Sequence, residues 1–270
     1  MEVLSFSIGV IGNIISVLVF LSPIRTFWRI IKHKSTEDFE SFPYICTLLS
    51  SSLWTYYGVI KPGEFLVATI NGFGAIVEAI YVTLFLIYSP RRMKAKTGIL
   101  VGILDVGFFA AAVAVTRVAL KVDTGIEAIG FMCAGLNIVM YGSPLAAMCV
   151  VGGRGIVGFR LPRRTCLVEF LRPSDADIYA QWLKAYAREK TVVTTKSVEF
   201  MPFFLSFSLF LNGGTWALYA LLVRDSFLLV ANGCGFILGS AQLVLYALYR
   251  NSKPAKNALE GQEDQHEPLM

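Results

Sequence analysis

Long apolar stretches alternate with short polar segments along the chain. A helix needs about 20 mainly apolar residues to cross a hydrocarbon core of ~30 Å. Windows of that kind lie at about residues 5–24, 42–60, 65–88, 99–119, 126–148, 200–222 and 226–249. The pattern predicts an all-α integral membrane protein with seven transmembrane helices.

Composition supports a membrane protein and argues against an enzyme. Of the 270 residues, 55% are hydrophobic and only 16% are charged, which is too apolar for an ordinary soluble domain. Neither His33 nor His266 can join a catalytic Ser/His/Asp set inside the membrane, and the glycine-rich stretches lack a Walker or Rossmann context. The cysteines form no CxxC pair. We therefore expect no enzymatic activity, no cofactor, no metal site and no disulfide.

The basic residues predict the orientation in the membrane. Twenty of the 24 lysines and arginines fall in alternate loops and the C-terminal tail, and only Lys61, Arg117, Lys121 and Arg224 fall on the opposite side. Because positively charged loops stay in the cytosol, the N-terminus is expected in the lumen or outside the cell, and the C-terminus in the cytosol. The net charge of +5 thus reflects topology, and we expect no nucleic-acid partner.

The two ends of the chain repeat each other. The matches are Lys34-Ser35-Thr36-Glu37 with Lys196-Ser197-Val198-Glu199, Trp54 with Trp216, and Asn71-Gly72-Phe73-Gly74 with Asn232-Gly233-Cys234-Gly235, at offsets of 162, 162 and 161. One connecting helix between two three-helix units gives both units the same direction, so the repeat is parallel, as in several transporter folds. We expect a first repeat at 1–96, a linker helix at 97–122, a second repeat at 123–250 and a cytosolic tail at 251–270.

A foreign segment interrupts the second repeat. Ser22-Pro23 matches Ser143-Pro144 at an offset of only 121, which is 41 fewer than the later offset of 162. We therefore predict a cytosolic insertion at about 149–189. Its second half has the pattern of an amphipathic helix that could lie on the membrane surface, whereas a disordered loop or a splicing product is the simpler interpretation.

Prolines near the cytosolic ends of the first two spans of each repeat predict hinges: Pro23, Pro43, Pro144 and Pro202. A proline inside a helix removes a backbone donor and loosens the preceding turn. The alternative for Pro43 and Pro202 is that they only begin their helices.

Two indoles and two carboxamides are expected at one level in the membrane. Trp54 and Asn71 each lie about six residues, or ~9 Å, from the outer ends of their spans, and the repeat puts Trp216 and Asn232 at a similar level. Amides can hydrogen-bond to sugar hydroxyls while indoles cover the apolar face of the ring. A membrane Asn can instead join helices and a Trp can anchor at the interface, but the repeated pairing favours a sugar site.

Further residues are expected deeper in the same cavity: Ser16, Val19, Ser50, Asn137, Met140 and Asn212. The bulk of Met140 and Asn212 favours a monosaccharide over a disaccharide. Glu78 and Asp105 are the acidic residues inside spans, and the second repeat has Gly239 where Glu78 would recur. Since a proton relay needs an acid near the substrate, we expect passive uniport.

These motifs resemble the SWEET family of sugar transporters. The resemblance is carried by Val10-Ile11-Gly12-Asn13, Thr69-Ile70-Asn71-Gly72, Tyr141-Gly142-Ser143-Pro144-Leu145, Asn232-Gly233 and the specific run Lys196-Ser197-Val198-Glu199-Phe200-Met201-Pro202. It implies facilitated, bidirectional sugar transport by a 3+1+3 helical fold in the lipid bilayer, and association into homo-oligomers. The subgroup it resembles is associated with the vacuolar membrane and with fructose and glucose, although the plasma membrane remains an alternative.

The resemblance also implies roles for individual residues. Asn71 and Asn232 hold the sugar, Trp216 stacks on it, the four prolines are hinges, and Tyr57 meets Asp225 in an outer gate. The 41-residue insertion departs from the family, which joins these spans by a short linker.

Two other classes of membrane protein remain as alternatives. A proton-coupled PQ-loop amino-acid exporter also has a doubled three-helix unit, but Leu145 and Phe203 stand where its glutamines would follow the prolines. A seven-helix receptor would not show the internal repeat.

Overall fold

The computed structural model describes residues 2–37, 39–152 and 203–249, and these form helices joined by short turns. The first repeat contains α1 (Glu2–Leu21), α2 (Ile24–His33), α3 (Phe42–Ile60) and α4 (Phe65–Tyr88). The linker comprises α5 (Arg91–Leu100), a π-helical segment (Val101–Phe108) and α6 (Phe109–Val118). The second repeat contains α7 (Val122–Gly152), α8 (Phe203–Val223) and α9 (Ser226–Tyr249).

The described helices match the predicted spans, and two agree at both ends: α3 at 42–60 and α4 at 65–88. The linker helix begins at Arg91 rather than near residue 97, because the basic residues at its start lower the hydropathy without breaking the helix. The predicted insertion at 149–189 coincides with the described residues only at the end of α7. The rest of it, with the tail at 251–270, lies outside them.

Six described helical stretches are long and apolar enough to cross a membrane: Glu2–His33, Phe65–Tyr88, Arg91–Val118, Val122–Tyr141, Ser206–Val223 and Ser226–Leu248. Helix α3 is absent from this set because its five serines and threonines and its three tyrosines lower its hydropathy. Ser50 and Ser51 of this helix are buried, so these polar side chains lie in the protein interior. The fold is all-α and integral to the membrane, as predicted.

The described residues up to 141, together with residues 208–237, form one compact unit, and all residues of the site described below belong to it. Its main core includes Leu53, Ile129, Ala220 and Leu228, each at most 3% exposed. A smaller cluster in the first repeat is built around Phe27 and Tyr81, whose rings stack at 4.3 Å.

Close helix packing depends on glycine in both repeats. A Cβ atom at Gly58 would lie 2.6 Å from the backbone nitrogen of Ala68, and one at Gly213 would lie 2.7 Å from that of Phe236. Small residues bring helix backbones together in lipid, where apolar burial alone drives little association. The pairs α3 with α4 and α8 with α9 are thereby held close.

Candidate substrate-binding site

A cavity of about 170 Å³ lies among helices α1, α3, α4, α7, α8 and α9. All ten substrate-binding residues predicted from the sequence line it: Ser16, Val19, Ser50, Trp54, Asn71, Asn137, Met140, Asn212, Trp216 and Asn232. Sequence reasoning missed seven further lining residues: Phe20, Thr47, Ser51, Val67, Ile70, Tyr141 and Leu228. The repeat itself could have revealed some of them, because Tyr141 follows Phe20 at the offset of 121 and Leu228 follows Val67 at 161.

Two of the cavity asparagines, Asn71 and Asn232, are held in the same way. The Nδ2 atom of Asn71 donates to the carbonyl of Val67 at 2.9 Å, and that of Asn232 donates to the carbonyl of Leu228 at 2.9 Å. Each bond runs one helical turn back and fixes the carboxamide. Among the described residues no donor is assigned to either Oδ1 atom, so both oxygens can accept hydrogen bonds from a ligand.

The two indoles are also held in equivalent ways. Trp54 packs edge-on against Tyr57 and Trp216 against Tyr219, and in each pair the ring centroids are 5.3 Å apart. Both indoles are about 5% exposed or less, and both line the cavity. Neither tryptophan is therefore an interfacial anchor.

Serine and asparagine exchange places between the repeats. Ser16 donates to Oδ1 of Asn212 at 2.5 Å, and Ser50 donates to Oδ1 of Asn137 at 3.0 Å. Asn137 follows Ser16 at an offset of 121, and Asn212 follows Ser50 at 162. The two hydrogen bonds are thus equivalent, with donor and acceptor exchanged. Each joins the first repeat to the second across the cavity.

The described lining residues carry no charge at neutral pH: the polar ones are hydroxyls, carboxamides and indoles. The acidic residues inside the spans lie elsewhere. Glu78 is 4% exposed and its Oε2 atom has no hydrogen-bond partner among the described residues. Both carboxylate oxygens of Asp105, in the π-helical segment, likewise have no hydrogen-bond partner among the described residues.

Tyr57 and Asp225 meet as the resemblance implied. The Tyr57 hydroxyl donates to Oδ2 of Asp225 at 2.8 Å, and the backbone N–H of Leu228 donates to Oδ1 at 3.0 Å. Sequence reasoning missed Lys61, whose ammonium lies 2.7 Å from Asp225 and donates to the Tyr57 hydroxyl at 2.8 Å. We call the region of Lys61 and Asp225 the outer end, after the predicted topology.

The structure describes two of the four predicted hinge prolines in detail. Pro23 directly precedes α2, and it separates that helix from α1. Pro43 lies in the first turn of α3, a position that needs no backbone donor. Pro144 falls within the backbone of α7, but its side chain lies outside the described residues, as does all of Pro202.

Comparison with known proteins decides the family. A family model described as a sugar efflux transporter for intercellular exchange matches residues 6–93 and 187–254. The chain belongs to the SWEET family. The match includes Asn71 and Asn232, both cavity tryptophans, and Tyr57, Lys61 and Asp225 of the outer end.

Curated SWEET proteins align with nearly the whole chain. The bidirectional sugar transporter SWEET17 of Arabidopsis thaliana is 51% identical over 277 residues, covering 98% of each chain. SWEET16 of the same plant is 50% identical and covers 96% of this chain and 95% of its own. A solved structure of a eukaryotic SWEET transporter superposes with a TM-score of 0.72 at 34% identity, covering 92% of this chain and 98% of that one. The protein is a sugar transporter and not an enzyme.

Proposed function

We propose that this SWEET protein is a bidirectional uniporter of hexoses, such as fructose and glucose, and that it works by alternating access. The observation that carries the proposal is the equivalent placement of Asn71, Asn232, Trp54 and Trp216 around one cavity. Carboxamide oxygens can accept from sugar hydroxyls, while the indoles provide apolar surface for a ring. Since the site draws on both repeats, rocking of one repeat against the other would expose it to each side in turn.

The size of the cavity supports a single sugar ring. Its volume of about 170 Å³ is below the range of roughly 300–1,000 Å³ that is usual for small-molecule pockets. Met140 and Asn212 reduce its width on the side of the second repeat, where the first repeat has Val19 and Ser50 at the equivalent positions. A disaccharide would require these residues to give way.

The neutral lining supports uniport over the alternative, a proton-coupled amino-acid exporter. An amino acid carries two charges at neutral pH, and burying them without partners costs several kcal/mol or more. The described lining residues offer neither a cation nor a carboxylate. A neutral polyol needs only hydrogen bonds, which the amides and hydroxyls provide.

We also propose the vacuolar membrane as the location, with the N-terminus lumenal, the C-terminus cytosolic, and a homo-oligomeric assembly. The support is the distribution of basic residues and the subgroup that the motifs resemble. A fluorescent C-terminal fusion tests the membrane, and protease accessibility of the tail in isolated vacuoles tests the orientation. Crosslinking in the membrane tests the assembly.

Exchange of labelled hexose across proteoliposomes tests the transport proposal. We expect fructose and glucose to exchange in both directions, with no effect of a protonophore and little uptake of sucrose or amino acids. Protein-free liposomes give the background. Current driven by protons with an amino acid, and none with a hexose, would establish the alternative. The same assay on a variant lacking residues 149–189 tests whether the predicted insertion hinders transport.

A further inference from the structure

A second cavity, of about 340 Å³, lies at the outer end of the helices. It is lined by Tyr56 of α3, by Thr116 and Arg117 at the end of α6, and by Gly125 in the first turn of α7. The first repeat, the linker and the second repeat therefore all contribute to it. Among the described residues, the two cavities share no lining residue, and the volume of this one falls within the range usual for small-molecule pockets.

A directed chain of hydrogen bonds orients the arginine of this cavity. The Nε–H group of Arg117 donates to the Tyr56 hydroxyl at 3.2 Å. The Thr116 hydroxyl donates to the carbonyl of Ala112 at 2.8 Å, so in the bond of 3.1 Å between Tyr56 and Thr116 the tyrosine is the donor. The ring of Tyr56 packs edge-on against Phe109, and the guanidinium lies over that tyrosine ring at 5.7 Å from its centroid. Arg117 is thus held at Nε by side chains that are themselves held.

The charge of Arg117 has no counter-charge in the part of the chain that the structure describes. The three ion pairs found there all involve other side chains. Asp123 and Glu127, at the start of α7, are exposed and do not line the cavity. The two Nη groups of Arg117 carry four N–H donors, and no acceptor for them is found among the described residues. An arginine with this fork free can bind two phosphate oxygens at once.

The rim of the cavity is apolar and exposed, as expected of a surface that faces lipid. Val59 and Val122, which line the cavity, are 66% and 75% exposed, and Val118, next to Arg117, is 87% exposed. Helix α6 ends at Val118 and α7 begins at Val122, so these residues lie where the hydrocarbon meets the headgroups. Basic pockets between transmembrane helices bind anionic headgroups. An interfacial arginine that only reaches for water needs no cavity and no oriented hydrogen bonds.

We propose that this cavity binds the phosphate group of an anionic phospholipid from the outer-end leaflet. The Nη groups of Arg117 bind the phosphate oxygens, and the acyl chains run along Val59, Val118 and Val122. A net negative headgroup is favoured over phosphatidylcholine, because the described lining offers a cation but no carboxylate for the choline. The bound lipid contacts α3, α6 and α7 together, so it stabilises the attachment of the linker to both repeats. The proposal holds whichever sugar is carried.

Lipid binding to the purified full chain in detergent tests the proposal. Native mass spectrometry measures how many lipids bind and how tightly, and thermal unfolding measures their effect on stability. We expect one molecule of dioleoyl phosphatidylglycerol to bind about tenfold or more tightly than dioleoyl phosphatidylcholine and to raise Tm, since a ligand of the folded state stabilises it. Equal binding of the two lipids would overturn the anionic site.

Inorganic phosphate and dioleoylglycerol separate the two parts of the lipid. Inorganic phosphate supplies the anion without the chains, and dioleoylglycerol supplies the chains without the anion. Neither should raise Tm as phosphatidylglycerol does. Stabilisation by inorganic phosphate alone would assign the cavity to a free anion, and stabilisation by dioleoylglycerol alone would assign it to the chains. Either result would overturn the proposal.

Substitutions locate the binding on the chain. Arg117→Gln removes the charge and the fork and should weaken phosphatidylglycerol about tenfold or more. Tyr56→Phe removes the hydroxyl that orients Nε and should cause a smaller loss. Lys121→Gln is the matched control, because it removes an exposed cation of the same turn that does not line the cavity, and it should bind as the wild type does.

Two results with these variants would overturn the site. One is an Arg117→Gln variant that binds phosphatidylglycerol as tightly as the wild type. The other is an equal loss in Arg117→Gln and Lys121→Gln, which would show attraction to the basic surface in general. Thermal unfolding without added lipid shows that each variant is folded, and since Arg117 is exposed its replacement should leave that lipid-free Tm close to the wild-type value.

Discussion

Ser16 and Asn212 join the first helix of one repeat to the second helix of the other through a hydrogen bond of 2.5 Å. The same serine accepts from Nε1 of Trp216 at 2.9 Å. In the equivalent bond Ser50 donates to Asn137, and Ser50 accepts no second side-chain hydrogen bond among those of the described residues. Two buried groups therefore depend on the Ser16 hydroxyl, whereas one depends on the Ser50 hydroxyl.

Replacing Ser16 should cost more stability than replacing Ser50. Ser16→Ala deprives both the Asn212 oxygen and the Trp216 N–H of a partner, and each unsatisfied buried group costs about 1–3 kcal/mol. Ser50→Ala affects only the Asn137 oxygen. Thermal unfolding in one detergent should therefore place Ser16→Ala below Ser50→Ala. The opposite order would show that the bond from the Trp216 N–H to Ser16 adds no stability.

Removing the amide of Asn71 or of Asn232 should weaken hexose transport. Asn71→Ala and Asn232→Ala each delete a carboxamide oxygen that we expect to accept from the sugar, and such a loss costs about 1–3 kcal/mol, or roughly five- to 150-fold in affinity. Hexose exchange over a range of concentrations measures the effect. Asn13→Ala is the matched control, because Asn13 is a membrane asparagine outside the cavity lining that bonds to Thr69. A control as impaired as the two variants would point to general helix packing instead.

The internal repeat explains how much of the site could be predicted from the sequence. Residues such as Trp54 and Trp216 recur at a fixed offset, and parallel repeats bring equivalent positions to one level. Lys61 escaped prediction because it lies in a short turn between α3 and α4, where hydropathy treats it as an ordinary loop residue. Its pairing depends on Asp225 at the start of α9, a contact between positions more than 160 residues apart that no local pattern encodes.

Cavity width should determine which sugars pass. Met140→Val and Asn212→Ser together would give the second repeat the residue types of Val19 and Ser50 in the first. The wider cavity should admit sucrose while retaining hexose exchange. Labelled sucrose and glucose uptake by the double variant and the wild type measures the change. The conservative Met140→Leu variant serves as the control, because it keeps most of the side-chain volume. Sucrose uptake that stays at background in a well-folded double variant would contradict a selectivity set by width.

Lys61 should matter mainly as the counter-charge of Asp225. Lys61→Met leaves a carboxylate whose side chain is 0% exposed without its cation, and removing one partner of a buried pair costs about 3–5 kcal/mol. The K61M/D225N double variant removes both charges, while an amide oxygen at position 225 can still accept from the Leu228 N–H that the aspartate now binds. The double variant should therefore recover much of the thermal stability that the single variant loses. Arg224→Gln is the control, since this exposed neighbour has no part in the pair. A double variant less stable than Lys61→Met would mean that the charge of Asp225 stabilises the outer end even without Lys61.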